Sequence, residues 1–201
     1  MFKSCYINRV AGEFMIEKDK VLIRRLKLAD RNELIRFFKF VLEDTIMVNE
    51  LNHETGLLEE EFTEKIRRLD EDLNSDGQIR YFLLAEYQGE IIGSIEYGPT
   101  STLLNDGTKN AISDLYEIGT VLVLPKYQRQ GIVSLLFDRL LARLELLNVN
   151  EVCFDSGYKV AQRIWTKKFG KPEYYLKDYW GKDAHLMVWR INVKASRSLF
   201  K

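Results

Sequence analysis

Within the twenty residues Glu117 to Leu136, EIGTVLVLPKYQRQGIVSLL, the chain gathers groups that chemistry can use. A carboxylate, Glu117, opens a run of strand-forming residues that ends at Pro125. A short basic and polar loop follows, and Gly131 then starts an apolar helical pattern with no Asp or Glu before Asp138. The first N–H groups of a helix lack partners within it and carry partial positive charge. A glycine that lets an anion come close to them makes a seat for phosphate. The stretch therefore predicts a diphosphate site on Gln128, Arg129, Gln130, Gly131, Ile132 and Val133.

Other chemistries find less support. A P-loop requires GxxxxGK[ST], and a dinucleotide fold requires GxGxxG with an acid about 20 positions on. The chain has neither pattern here. His53 and His185 complete no zinc spacing, and Cys5 and Cys153 form no CxxC pair, so no metal site is expected. The two cysteines read as free thiols in a reducing compartment, with Cys153 acting as a small apolar strand residue.

The bulk properties agree with a soluble globular protein. At 201 residues, with 46% apolar and 12% aromatic content, the chain can build one domain with a proper core. Thirty basic residues balance thirty acidic ones, which gives no global field to hold nucleic acid or an anionic membrane. The first residues have no apolar leader segment and no stretch is long enough to span a bilayer, so a cytoplasmic location is expected.

The elements that must position the loop can be read in order. Phe14 to Ile16 and Val21 to Ile23, around the polar run Glu17 to Lys20, suit a hairpin. Asp30 with Glu33 has capping-box spacing before a helix carrying Leu34, Phe37, Phe38, Val41 and Leu42. A second helix carries Leu58, Phe62, Ile66, Leu69 and Leu73, and its early acids Glu59, Glu60, Glu61 and Glu64 read as a solvated helix start. Tyr81 to Ala85 and Ile91 to Ile95 form a hairpin through Gln88-Gly89-Glu90. Residues 98 to 113 read as a long polar loop. After the helix opened by Gly131, Glu151 to Phe154 returns as a strand parallel to the first, completing a β-α-β crossover. A helix from Val160 to a glycine C-cap at Gly170 and a terminal hairpin over Tyr174 to Tyr179 and Leu186 to Val193 close the chain.

The loop Gln128-Arg129-Gln130-Gly131-Ile132-Val133 resembles the coenzyme A loop [Q/R]-x-x-G-x-[G/A] of the GCN5-related N-acetyltransferase (GNAT) family. Glu117 to Pro125 resembles the strand E-L-x-x-L-x-V-x-P that precedes it, and Ala161 to Gly170 resembles that family's A-x-x-[I/L]-[Y/W]-x-x-x-[F/L]-G segment. Val133 stands where Gly or Ala is usual. The resemblance covers roughly residues 21 to 193, leaving 1 to 20 as an extension and 194 to 201 as a tail. It implies an α/β (α+β) fold whose mixed, mostly antiparallel sheet has two splayed parallel strands and flanking helices.

The same resemblance implies function. An acetyl-CoA-dependent transfer to a primary amine would place the backbone of Val121, Leu122 and Val123 against the pantetheine arm. Glu117 would be the general base, or a structural, salt-bridged strand carboxylate. Trp165 occupies the position of the family's acidic tyrosine and would pack on the pantetheine or fill the core; Tyr158 would serve as acid instead. The acceptor is a small molecule, a peptide N-terminus or a protein lysine, and exposed terminal strands would suit a homodimer. Val133 and Trp165 also admit a fold that binds acyl-CoA without turnover.

Overall fold

Gln88 and Gly89 take positive φ angles of 53° and 80°, the two-residue turn whose twist matches paired strands. They join Tyr81–Tyr87 (β2) to Glu90–Pro99 (β3), the longest strand pairing in the fold. The computed structural model describes residues 15–51 and 56–200. Around this hairpin lie Leu22–Arg25 (β1), Tyr116–Val123 (β4), Glu151–Ser156 (β5), Tyr174–Leu176 (β6) and Leu186–Asn192 (β7). They form one seven-stranded sheet in the order β1-β2-β3-β4-β5-β7-β6, and only β4 and β5 run parallel.

Strand alternation gives this sheet two faces. On β3, Glu96 points to Arg68 while its neighbour Tyr97 points to Arg143, as a period of two requires. Arg68 belongs to Leu57–Ser75 (α2), which packs with Arg31–Val48 (α1); Arg143 belongs to Ile132–Leu146 (α4). The α4 side buries Leu136, Phe137, Leu140, Leu141 and Leu144. Lys159–Phe169 (α5) completes the aromatic part of the core, where Phe154 stacks on Trp189 with centroids 5.3 Å apart. No helix among the described residues is long and apolar enough to cross a membrane.

Four sequence expectations change. Residues 15 to 17 are not a strand and Lys18–Lys20 is a 3-10 turn, so no hairpin forms there; β1 finds its partner in β2 instead. The Phe14 end of that expected strand lies outside the described residues. Asp30 precedes α1 but makes no capping bond to it, because its carboxylate is held by Arg24 at 2.7 and 3.0 Å and by the Lys27 amide. Glu33 reaches across to the Ile91 amide, 3.0 Å away, rather than back to the cap. Inside the expected loop at 98 to 113, Thr102–Gly107 (α3) forms a helix capped by Ser101. The reason is Leu104 and Ile112, both fully buried in a second small core with Cys153, Leu186 and Val188: the loop has its own apolar anchors.

Residues 194–200, expected as a tail, are folded onto the domain. Val193–Arg197 (α6) and a following 3-10 turn dock on α4, and Phe200 stacks on Phe137 at 4.6 Å, nearly parallel. Arg197 ties the same segment to Asp138 and Glu145 at 2.9 and 2.8 Å. Phe200→Ala is expected to cost about 3 kcal/mol, the low end for truncating a buried phenylalanine. Urea unfolding followed by fluorescence measures this, and a midpoint equal to wild type would show the segment contributes nothing.

Candidate active site

β4 carries the distortion that opens the site. Its register against β3 pairs Ser94 with Leu122 but Glu96 with Gly119, leaving two residues, Thr120 and Val121, opposite Ile95. This is a β-bulge, and it falls just after Gly119. Thr120 sits at φ 49°, a left-handed angle a β-branched residue adopts only when its surroundings force it. Ser94 Oγ donates to the Thr120 carbonyl at 2.9 Å and fixes the bend. Gly119 has a separate duty, because a Cβ there would collide with the Arg68 guanidinium and the Glu96 carboxylate.

On its other edge β4 pairs with β5 only at Tyr116 with Val152 and Glu117 with Cys153. Beyond that pair the two parallel strands part. The backbone of Val121, Leu122 and Val123 therefore lines an open wedge, the arrangement expected of strands that hold an extended ligand arm between them.

At the wide end of the wedge lies the loop before α4. Arg129 and Gly131 hold φ angles of 63° and 88°, which turn the chain so that Gly131 becomes the N-cap of α4. The glutamines brace this turn: Gln128 donates to the Val123 carbonyl at 3.2 Å and Gln130 to the Lys126 carbonyl at 3.0 Å. Gln130 Oε1 also accepts from the Ile16 amide at 2.9 Å, which lays the segment before β1 beside the loop. A Cβ on Gly131 would meet Lys18 Nζ at 2.9 Å, so an ammonium already lies at this helix start. Arg129 is exposed, while Lys126 is turned away to Glu90 at 2.9 Å. Ile132 is buried and Val133 half-buried against the main core. A glycine in the left-handed region, an exposed arginine and free helix amides fit a diphosphate.

At the narrow end of the wedge, charges are buried on the α2 side. Glu117 is 2% exposed; Oε1 accepts from Arg68 at 2.7 Å and Oε2 from the Ser101 amide at 2.6 Å. Arg68 also binds Glu96 and Glu64, and Arg80 closes the network on Glu96 at 2.6 Å. Burial alone would raise the Glu96 carboxyl, but Arg68 and Arg80 overcome it and hold the group below the ordinary carboxylate range. Glu117 is thus salt-bridged through one oxygen and held by a backbone amide through the other.

Asp155 lies two residues beyond Cys153, on the same face of β5 and inside the parting of the strands. Burial, reinforced by Glu117, pushes its carboxyl up to about 7, against the opposing charges of Arg68 and Lys65. Tyr158 is the N-cap of α5, and its hydroxyl is buried without a hydrogen-bond partner. Burial, then Glu61 and Asp155, raise that phenol well above its usual value, so it stays protonated. Cys153 is a free, fully buried thiol, raised chiefly by burial, as a core residue should be. Cys5 lies outside the described residues. Trp165 fills the core, 5.5 Å from both Phe137 and Phe154. Trp180, 57% exposed, comes over Gly157 at the end of β5, where a Cβ would meet its Nε1 at 3.3 Å.

The sequence pointed to Glu117, Tyr158 and the loop but not to Arg68, Glu96 or Asp155. A signal existed for the first: Glu61, Glu64, Lys65, Arg68 and Asp72 recur at helical spacing beside the apolar stripe of α2. A charged stripe adjoining an apolar one marks a face turned to buried charge as well as one turned to water.

The sequence profile of the acetyltransferase (GNAT) family matches residues 45–171. Among curated proteins none matches. Several solved structures share the fold. A GNAT-family protein from Desulfovibrio desulfuricans aligns with a TM-score of 0.64 at 19% identity, over 86% of this chain and 99% of its own. The ribosomal-protein-alanine N-acetyltransferase of Brucella melitensis aligns at 0.60 and 21%, over 85% and 99%. The spermidine N-acetyltransferase of Vibrio cholerae, solved with CoA and spermine, aligns at 0.58 and 14%, over 89% and 98%.

Proposed function

Because the chain belongs to the acetyltransferase (GNAT) family, we propose that it transfers the acetyl group of acetyl-CoA to a primary amine. The observation that carries this reading is the parting of β4 and β5 after the Glu117 to Cys153 pair, with the glycine-capped start of α4 at its wide end. The amides of Gln128 to Val133 would take the diphosphate, helped by Arg129 and Lys18. The edge of Val121, Leu122 and Val123 that faces β5, with the Val123 carbonyl already held by Gln128, would pair with the pantetheine arm. When bound, acetyl-CoA supplies an activated acyl group on a thiol leaving group; the protein's own part is to hold it, exclude water and move protons.

For the protons, two carboxylates lie at the narrow end, Glu117 and Asp155, with the protonated hydroxyl of Tyr158 close in sequence. An ammonium would be drawn to the acidic side chains of Glu61, Glu117 and Asp155. Tyr158 keeps its proton at neutral pH, so its hydroxyl could donate a hydrogen bond toward the departing sulfur. Trp165 is assigned to the core and not to the pantetheine. The free thiol of Cys153 suits a reducing cytoplasm.

The acceptor would be a primary amine of either class named among the similar folds, a polyamine such as spermidine or an alanine of a ribosomal protein. Incubation with acetyl-CoA and a panel of spermidine, an alanine-terminated peptide and free lysine tests the proposal, with released coenzyme A as the signal. Release that depends on one of the amines is expected. The opposite outcome, binding of acetyl-CoA without turnover on any amine, would favour a non-catalytic acyl-CoA-binding module, the reading that Val133 and Trp165 support.

A further inference from the structure

Resting on the acetyl-transfer reading above, we propose that Asp155 is the general base that takes the proton from the acceptor ammonium, and that Glu117 is a fixed, positioning charge beneath it. The two carboxylates differ in what their oxygens are free to do. Both Glu117 oxygens are already occupied, one by the Arg68 guanidinium at 2.7 Å and one by the Ser101 amide at 2.6 Å, and the side chain is sealed from solvent. A proton arriving on Glu117 would have to displace a bond or sit beside a guanidinium charge.

Asp155 is the reverse case. Its side chain has no hydrogen bond among the described residues, and it is only half-buried. Its place on β5 is two residues past the last pairing with β4, on the face it shares with Cys153. Cys153 pairs in register with Glu117, so Asp155 lies on the sheet face turned to α2. The charged and titratable groups facing it are Glu117 from β4, Glu61, Lys65 and Arg68 from α2, and Tyr158 from the start of α5; its partner on β7 is the neutral Val188. Arg68 is engaged by Glu64, Glu96 and Glu117, and Lys65 by Glu61 at 3.2 Å, so neither cation is committed to Asp155.

This environment also suits the work. A base is most effective when its proton affinity lies near the operating pH, and burial with the Glu117 charge raises Asp155 toward that range. The step balances as follows. Asp155 accepts one proton from the ammonium; the freed nitrogen pair forms the C–N bond to the acetyl carbon while the C–S bond breaks. A second nitrogen proton ends on the coenzyme A sulfur, and Asp155 returns its own to solvent. Glu117 contributes by repelling the Asp155 anion, which keeps that base strong.

The test uses the full chain and the variants Asp155→Asn and Glu117→Gln. With the most active amine of the panel, Asp155→Asn is expected to lower kcat/KM by about 10²–10⁴-fold, mostly through kcat. Its thermal stabilisation by acetyl-CoA should equal that of wild type. The wild-type rate should rise along a limb near pH 7, and Glu117→Gln should move that limb to lower pH because a repelling charge is gone. A readout free of turnover comes from carboxyl ¹³C NMR: the resonance missing in Asp155→Asn should titrate near 7 in wild type and lower in Glu117→Gln. Activity of Asp155→Asn within a few-fold of wild type, or a resonance titrating like an ordinary aspartate, overturns the assignment of the base alone. Failure of wild type to acetylate any amine of the panel overturns the acetyl-transfer reading and the base with it.

Discussion

Replacing Arg68 by methionine is expected to destabilise the protein by about 3–5 kcal/mol, because it strips the counter-charge from two buried carboxylates at once. Glu96 and Glu117 are 0% and 2% exposed, and Arg68 is the one cation that touches both among the described residues. Glu96 would keep Arg80 at 2.6 Å, but Glu117 would retain only the Ser101 amide. In a domain of this size the loss corresponds to a fall in Tm of about 10 °C. The triple variant Arg68→Met, Glu96→Gln, Glu117→Gln should recover much of it, since a buried ionic group replaced by neutral side chains is often near neutral.

The pH dependence fixes the sign. In wild type the Glu96 carboxyl is held below its ordinary value of 4.5 in the folded state, against burial, by Arg68 and Arg80. Its stabilising contribution is thus fully present above that value and is lost as pH falls through the lower folded one. Without Arg68 the Glu96 carboxylate has only Arg80 to set against its burial, so this contribution shrinks. The penalty of Arg68→Met should therefore be largest at neutral pH and shrink in acid. Urea midpoints at pH 7 and pH 4 measure both effects, and a penalty under 1 kcal/mol at pH 7 would mean that the network is not the keystone of this face.

Gly131→Glu is expected to abolish the stabilisation that acetyl-CoA confers. At about a hundred times its dissociation constant, a ligand of the native state stabilises it by about 2.7 kcal/mol, which in a chain this long raises Tm by several degrees. The substitution acts in two ways. Position 131 holds φ 88°, so any side chain there is strained, and a Cβ already meets Lys18 Nζ at 2.9 Å. A carboxylate would also take the Lys18 ammonium and the helix amides that a diphosphate would use. Thermal unfolding with and without acetyl-CoA separates lost binding from lost stability, since each protein is its own reference. An undiminished shift in the variant would move the cofactor away from this loop.

The loop from Gln128 to Val133 was legible because its information is local. A glycine before an acid-free helical run specifies a left-handed cap and open amides wherever it stands, and the strand from Glu117 ended as expected before Pro125. The β2–β3 hairpin and the β4–α4–β5 crossover were legible for the same reason, each written in one contiguous periodicity. The segments that misled are those whose partners lie far along the chain. Asp30 has the spacing of a cap, yet Arg24 and the Lys27 amide claim its carboxylate. Residues 98 to 113 are mostly polar, yet Leu104 and Ile112 find a small core built by Cys153, Leu186 and Val188. Phe200 reads as a loose end, but docks on Phe137.

The same division runs through the site. Sequence by itself determined the fold family, the glycine-capped loop before α4 and the strand that carries Glu117, because backbone conformation at those places follows from neighbouring residues. Only the tertiary structure decided what Glu117 is attached to and what stands beside it. Arg68 comes from 49 positions upstream, the Ser101 amide from 16, and Asp155 reaches the wedge from a different strand. Whether a carboxylate is a pinned anion or a free base depends on who else is within a few ångströms, and electrostatic energy in a poorly solvated wedge is set by those distances, not by the order of residues along the chain.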